Sequence, residues 1–291
     1  MNDKDKILQN LIRMGDLDNA FTGFYHTFYV KKEEDNYKQV FSKSESDYTF
    51  TGEWCFNQNV NKIKEHMGEI EGRSVLDAGC CDGYFGFLFK DMGAKVTSLD
   101  ITDRKPREGM SNLLGCDDDF IHQNIYQCDK LGKKYDYVWC QDVLCHMMHP
   151  MLAIMNFRKI CKKKLFIGID RFRSQTPEIE TLYQLDQNLW SKRHLELMNK
   201  SVEIYGDQTY PYIASPPAFK RKLADLGFKS TVDIKFSYEP QGRNRMGSCK
   251  KRIVDVYEAE VDPEYHFDWK WNMHTTEYLH YERGHINKPE G

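Results

Sequence analysis

Long apolar runs are missing from this 291-residue chain. A bilayer-spanning helix needs about 20 consecutive apolar residues, and the runs here are only a few residues long, so no membrane partner is expected. The opening residues, MNDKDKILQN, are charged and polar and lack the apolar core of a secretory leader. An excess of positive charge is missing too: 41 Lys and Arg stand against 44 Asp and Glu, a net charge of −3. That argues against the broad basic surface of a dedicated nucleic-acid binder and leaves room for a local patch. The nine cysteines are odd in number and scattered. With no export signal they read as reduced thiols, and a cytoplasmic location is expected. Repeats and low-complexity tracts are absent. What is present, 40% apolar and 29% charged residues, suits a globular protein built as one large α/β domain with additions or as two small domains.

The stretch from Ser74 to Thr102, SVLDAGCCDGYFGFLFKDMGAKVTSLDIT, organises the rest. Val75 and Leu76 read as a buried strand. A tight loop, Asp77 to Gly83, follows. Phe85, Leu88, Phe89 and Met92 then mark one face of a helix that Gly93 ends. A second strand, Val96 to Leu99, delivers Asp100. This is a βαβ unit with a loop at its strand tips, where open α/β sheets bind ligands. Gly79 and Gly83 allow close backbone approach, and a carboxylate about 20 residues beyond such a loop grips ribose hydroxyls. Dinucleotides and S-adenosylmethionine both suit this geometry. Two features favour the second. The dinucleotide pattern G-x-G-x-x-G is broken by Cys81. Asp77 would repel a pyrophosphate and suits the ammonium of a methionine moiety.

V-L-D-A-G-C-C-D-G resembles the first motif of class I S-adenosylmethionine-dependent methyltransferases, V-L-D-x-G-C-G-x-G, with Cys81 in place of the middle glycine. The resemblance implies a Rossmann-like α/β fold: a seven-stranded, mostly parallel sheet with helices on both faces. It implies S-adenosylmethionine as cofactor, with Asp77 and Gly79 at its methionine end, Cys81 and Gly83 in the loop, Asp100 on the ribose and Ile101 beside it.

An N-terminal cap is expected over 1–55, a core over 56–261 with an insertion at 171–210 after strand five, and a tail over 262–291. Within the cap, Ile7 to Met14 suggest a helix, and the aromatic FTGFYHTFYV, 21–30, reads as a packed helix or strand, or as a lid. The charged stretch 31–48 reads as an exposed loop. Val60, Ile63, Met67 and Ile70 give residues 56–71 helical spacing. FIHQNIYQC, 120–128, reads as strand three and its exit, where the resemblance places the adenine beside Asn124, Ile125 and Tyr126; strand-end packing would account for them equally. YDYVWC, 135–140, is strand four and KKKLFIGID, 162–170, strand five. Glu178 to Asn199 has helical periodicity. Pro216 and Pro217 begin a further helix. STVDIKF and KRIVDVYEAEV are strands six and seven, joined by the long connection 237–249.

The tip of strand four carries QDVLCHMMHP, with Gln141 a further cofactor contact. His146 and His149 are candidate bases, with Asp142 a second option; His146 could instead only position the loop. The spacing of Cys140, Cys145, His146 and His149 does not match paired zinc-ligand knuckles, and no metal is expected. The run VLCHMMHPMLAIMNFRKIC resembles VLYHxxxPLxxLxxLxxxx of the family related to tRNA wobble-uridine methyl- and carboxymethyltransferases. GEWCFNQNV and YPYIASPPAFKRKLADLGF continue the similarity. Carboxymethyl-transferring members hold their cofactor's extra carboxylate with a lysine, a tyrosine and an arginine. The tyrosine position is Cys145 here, no lysine matches within Cys55 to Asn59, and only Arg243 or Arg245 could supply the arginine. Plain methyl transfer is therefore expected, with Arg243 and Arg245 as candidate substrate contacts.

The acceptor reads as an oxygen or nitrogen nucleophile of a polar small molecule, sugar or metabolite, which the acidic balance and the covering insertion favour. The family resemblance favours tRNA. A cofactor-binding protein without catalysis is the third reading, kept open by Cys81.

Overall fold

The computed structural model describes residues 28–33, 36–41, 53–103, 105–117, 119–141, 143–144, 147, 149–171, 180–182, 212–214, 216–236 and 254–265. The chain divides into two units, Met1–Val261 and Asp262–Gly291. In the second, the described residues form a turn in which Asp262 Oδ1 accepts the Glu264 amide at 3.0 Å.

Strands β1 (Phe28–Glu33) and β2 (Asn36–Phe41) form a separate antiparallel hairpin. This corrects the expectation of an exposed loop over 31–48. The ladder, with Val30 opposite Lys38 and Lys31 opposite Tyr37, is made by backbone groups, and side-chain polarity does not prevent it.

Helix α1 (Glu53–Met67) leads to β3 (Ser74–Ala78), α2 (Tyr84–Asp91), β4 (Lys95–Asp100), α3 (Lys105–Leu114) and β5 (Phe120–His122). A 3-10 helix follows at Ile125–Leu131, then β6 (Tyr135–Cys140), α4 (Pro150–Ile160) and β7 (Cys161–Arg171). The chain continues through β8 (Glu180–Leu182), β9 (Tyr212–Ala214), α5 (Pro216–Asp225), β10 (Phe228–Ile234) and β11 (Val254–Val261).

One expectation is corrected here. Glu180–Leu182, inside the expected helix 178–199, is a strand pairing antiparallel with β9, which pairs in parallel with the end of β7. A tertiary ladder overrides the local helical period. Strand three is Phe120–His122, and its exit is a 3-10 helix that the Asn124 side-chain oxygen starts by accepting the Tyr126 amide at 2.9 Å. The expected helix at 7–14, the rest of the insertion helix and the connection 237–249 lie outside the described residues.

Seven strands run in the order β10-β11-β7-β6-β3-β4-β5. The pairs β3–β4, β4–β5, β3–β6 and β6–β7 are parallel, and β11 is antiparallel to both neighbours. From β3 the chain steps to β4 and β5 on one side, then returns to place β6 on the other. The order therefore reverses between β3 and β6, and the crevice outside their C-terminal ends is the ligand position of such sheets.

Alternation along the strands sends side chains to two cores. Val75, Trp139, Phe166 and Val256 meet α1 and α2 on one face. Leu76, Val138, Cys140, Leu165 and Tyr257 meet α4 and α5 on the other. Trp139 centres the first core, with ring centroids 4.9 Å from Phe85, 5.2 Å from Phe89 and 5.6 Å from Phe166. Such aromatic pairs fix α2, and with it the loop before it, against the sheet.

In the second core, burial pushes the Cys128 and Cys161 thiols from an ordinary 9.0 up to about 12. The folded protein thus binds these protons more tightly than the unfolded chain. The resulting stability is complete below about pH 9 and is lost as pH rises toward 12. Urea unfolding is expected to show stability falling across that window, with Cys128→Ala and Cys161→Ala each flattening the fall.

Candidate active site

The crevice is built from the ends of β3, β4 and β6. Gly79 N and Cys80 N both donate to the Leu99 carbonyl, at 2.7 and 3.1 Å, which closes the loop onto β4. Gly79 has φ +81, and a Cβ there would lie 2.3 Å from Val143 Cγ2. The loop after β6 therefore packs against bare backbone at the switch point. Gly83, at φ +86, starts α2; a Cβ there would lie 2.7 Å from Phe87 Cε2 and 3.1 Å from Arg107 Cγ.

Cys81 is the one non-glycine residue with positive φ, 54°, among the described residues. Its amide donates to Asp100 Oδ2 at 2.8 Å, while Asp100 Oδ1 accepts the Thr102 amide at 2.8 Å. Asp100 thus holds the loop in a conformation that a side chain resists by about 1–2 kcal/mol. Replacing Cys81 by glycine removes that cost and raises unfolded-chain entropy, for an expected net gain of about 0.5–1 kcal/mol. The urea midpoint checks this; a lower midpoint would mean that thiol packing outweighs backbone relief.

Asp77 is 2% exposed and lies beneath α2, where its Oδ2 would be 3.2 Å from a Cβ added at Gly86. Neighbouring Cys80 is buried, and desolvation, then the charges of Asp77 and Asp100, push its thiol well above the ordinary range. It remains a protonated packing group. Ile101 is half-buried, and its carbonyl lies 2.6 Å from the His122 ring Nε2.

Asn124 spends its side-chain oxygen on the cap. Ile125 is buried in the second core. Tyr126 packs at the edge of that core; its hydroxyl accepts the His149 amide at 2.9 Å and its carbonyl accepts Asn156 Nδ2 at 2.7 Å. Gln141 is half-buried, with Oε1 enclosed and without a hydrogen-bond partner among the described residues. The exposed His149 precedes α4, its ring 6.4 Å from that of Tyr126. Asp142, Cys145, His146, Arg243 and Arg245 lie outside the described residues. Among those described, no group of three or more His, Cys, Asp or Glu side chains could hold a metal.

The structure adds three residues that sequence reasoning missed. Arg107 is buried at 6% exposure, its guanidinium 3.6 Å from the Phe120 ring centroid and 2.8 Å from Asp103 Oδ1. Its stem floors Gly83. In sequence it sits in the polar run TDRKPREGM, which carries no sign of burial. Val143 and Asn156 are equally silent, because they contact Gly79 and Tyr126, residues distant in the chain.

The residues fit an S-adenosylmethionine-type ligand. Asp100 sets a carboxylate at the end of β4, bonded to the Cys81 amide of the loop, and Gln141 Oε1 is an acceptor in want of a donor. No described helix is long and apolar enough to cross a membrane.

A family model described as a methyltransferase domain matches residues 52–229. A tRNA U34 carboxymethyltransferase of Vibrio atlanticus is 30% identical over 290 residues, covering 94% of this chain and 78% of that protein. A ubiquinone biosynthesis O-methyltransferase of Erwinia tasmaniensis is 28% identical over 103 residues, 34% of this chain and 42% of that protein. Against such ubiquinone relatives, the chain spans less than half their length. Among solved structures, the N-terminal domain of EvdMO1 with SAH bound has a TM-score of 0.56 at 10% identity, covering 90% of this chain and 98% of that one. That likeness is one of fold.

Proposed function

Because the chain belongs to the class I S-adenosylmethionine-dependent methyltransferases, resembling the tRNA U34 carboxymethyltransferase-like family, we propose that it methylates an oxygen or nitrogen of a polar small molecule at the crevice between β3 and β6. The observation that carries the site is the Asp100 carboxylate, bound to the Cys81 amide at the topological switch point.

S-adenosylmethionine, when bound, supplies an electrophilic methyl carbon on a sulfonium. The chain must hold a nucleophile in line with that carbon, which needs positioning more than covalent help. The Asp100 carboxylate accepts ribose hydroxyls. Asp77 and Gly79 lie at the methionine end, and Gln141 Oε1 accepts from the ammonium. Cys81 and Gly83 set the loop, while Ile101, Asn124, Ile125 and Tyr126 form the adenine side. His149, His146 and Asp142 lie on the segment after β6, where a base can take the acceptor's proton. Arg243 and Arg245 hold an acidic group of the acceptor. Cys145, at the position of the carboxymethyl family's tyrosine, favours the plain cofactor over its carboxylated form. A cytoplasmic setting with reduced thiols belongs to the same reading.

A second reading, transfer to the wobble uridine of tRNA, is favoured by the Vibrio atlanticus relative, whose similarity runs over 94% of this chain. Calorimetric titration with S-adenosylmethionine, S-adenosylhomocysteine, carboxy-S-adenosylmethionine and NAD tests the cofactor side. Tightest binding of the carboxylated form would move the proposal to tRNA carboxymethylation. Labelled methyl transfer to bulk tRNA and to a small-molecule pool separates the acceptors, and RNA binding would weaken steeply with salt.

A further inference from the structure

We propose that the Tyr126 hydroxyl couples occupancy of the cofactor crevice to placement of His149 at the start of α4. Tyr126 is thus a positioning residue between the cofactor side and the acceptor side. The inference rests on the reading that places the adenine against Tyr126.

Two observations carry it. Helix α4 begins without a side-chain cap: His149 occupies the N-cap position at φ −124, makes no capping bond, and is followed by Pro150. What holds this start from outside the helix is the bond from the His149 amide to Tyr126 Oη, 2.9 Å long and bridging 23 residues. Second, Tyr126 is itself fixed from behind. Its carbonyl accepts Asn156 Nδ2 at 2.7 Å, and Asn156 is 3% exposed. Asn156 Oδ1 accepts Lys159 Nζ at 2.9 Å, and Lys159 pairs with Asp129 Oδ2 at 2.9 Å. Asp129 lies on the same 3-10 helix as Tyr126. The clamp therefore closes on itself and fixes the backbone that carries the Tyr126 ring.

A flat ligand against that ring restricts it further. The restriction reaches His149 through the hydroxyl, at the far end of the ring from the backbone. His149 is itself a candidate base. A filled crevice thereby sets the backbone that carries it. Binding of one ligand then orders the site of the next.

The test is amide exchange at His149, followed by NMR on the full chain, without ligand and saturated with S-adenosylhomocysteine. Calorimetry verifies saturation. In the wild type, the ligand is expected to slow His149 exchange by roughly three- to tenfold, the range of a single hydrogen bond. In Tyr126→Phe, which keeps the ring and loses the bond, exchange is expected to be faster without ligand and unchanged by it. Asn156→Leu keeps ring and hydroxyl but releases the Tyr126 carbonyl, and is expected to blunt the ligand effect. Equal slowing in wild type and Tyr126→Phe overturns the coupling while leaving the cofactor reading intact. Absence of S-adenosylhomocysteine binding by the wild type overturns the cofactor reading and the coupling with it.

Discussion

Replacing Asp100 with alanine is expected to weaken S-adenosylmethionine binding by about 100-fold or more. The carboxylate accepts two backbone amides, from Cys81 and Thr102, at 2.8 Å each. A hydrogen bond to a charged group contributes about 1.5–3 kcal/mol, and 1.4 kcal/mol is tenfold in affinity. Alanine removes the proposed ribose acceptor and frees the Cys81 amide in a conformation that resists its side chain. The two effects separate experimentally. Asp100→Ala in a Cys81→Gly background restores an unstrained loop but not the acceptor, so it should recover thermal stability and little affinity. Titration with the 2′-deoxy cofactor analogue completes the comparison: it should bind wild type and Asp100→Ala more nearly alike. Affinity within threefold of wild type in Asp100→Ala would remove Asp100 from the cofactor site.

The second large effect is expected at Gly79. An alanine there meets two independent obstacles. A left-handed φ of +81 costs a side chain about 1–2 kcal/mol. The new Cβ would also fall 2.3 Å from Val143 Cγ2, inside contact distance, and valine is stiff about χ1. Overpacking of this kind costs about 1–3 kcal/mol, so Gly79→Ala should lower unfolding stability by about 2–5 kcal/mol. It should also displace the loop after β6 from the crevice. Val143→Ala in the same chain should return the steric part and leave the backbone part, a division that a double-mutant cycle in urea reads directly. If Val143→Ala restores nothing, the contact between the two loops is not where the strain lies.

How much of this is legible in the sequence follows from the range of the forces involved. The unit from Ser74 to Asp100 could be read because its determinants are local. Apolar runs mark β3 and β4, Gly79 and Gly83 supply positive φ, and the spacing from Asp77 to Asp100 fixes loop and carboxylate together. Strands β6, β7 and β11 and helices α1 and α5 were equally visible, since their apolar periods match the face they bury.

Other features depend on partners distant in the chain. The hairpin β1–β2 and strand β8 are set by backbone ladders, which polar or helix-period sequences join when a neighbour is available. The exit of strand three takes 3-10 form through one side-chain oxygen, at Asn124. Cys81 looked like a lost glycine; the Asp100 bond shows how the loop keeps the same left-handed turn without one. Arg107 was one charge in a polar run until Phe120 and Asp103 enclosed it. By itself the sequence determined the βαβ unit and the parallel core, because hydrophobic period and turn chemistry act over a few residues. Only the tertiary structure decided which loops meet across the switch point and how Tyr126 reaches His149, because those contacts join segments 23 or more residues apart in the chain.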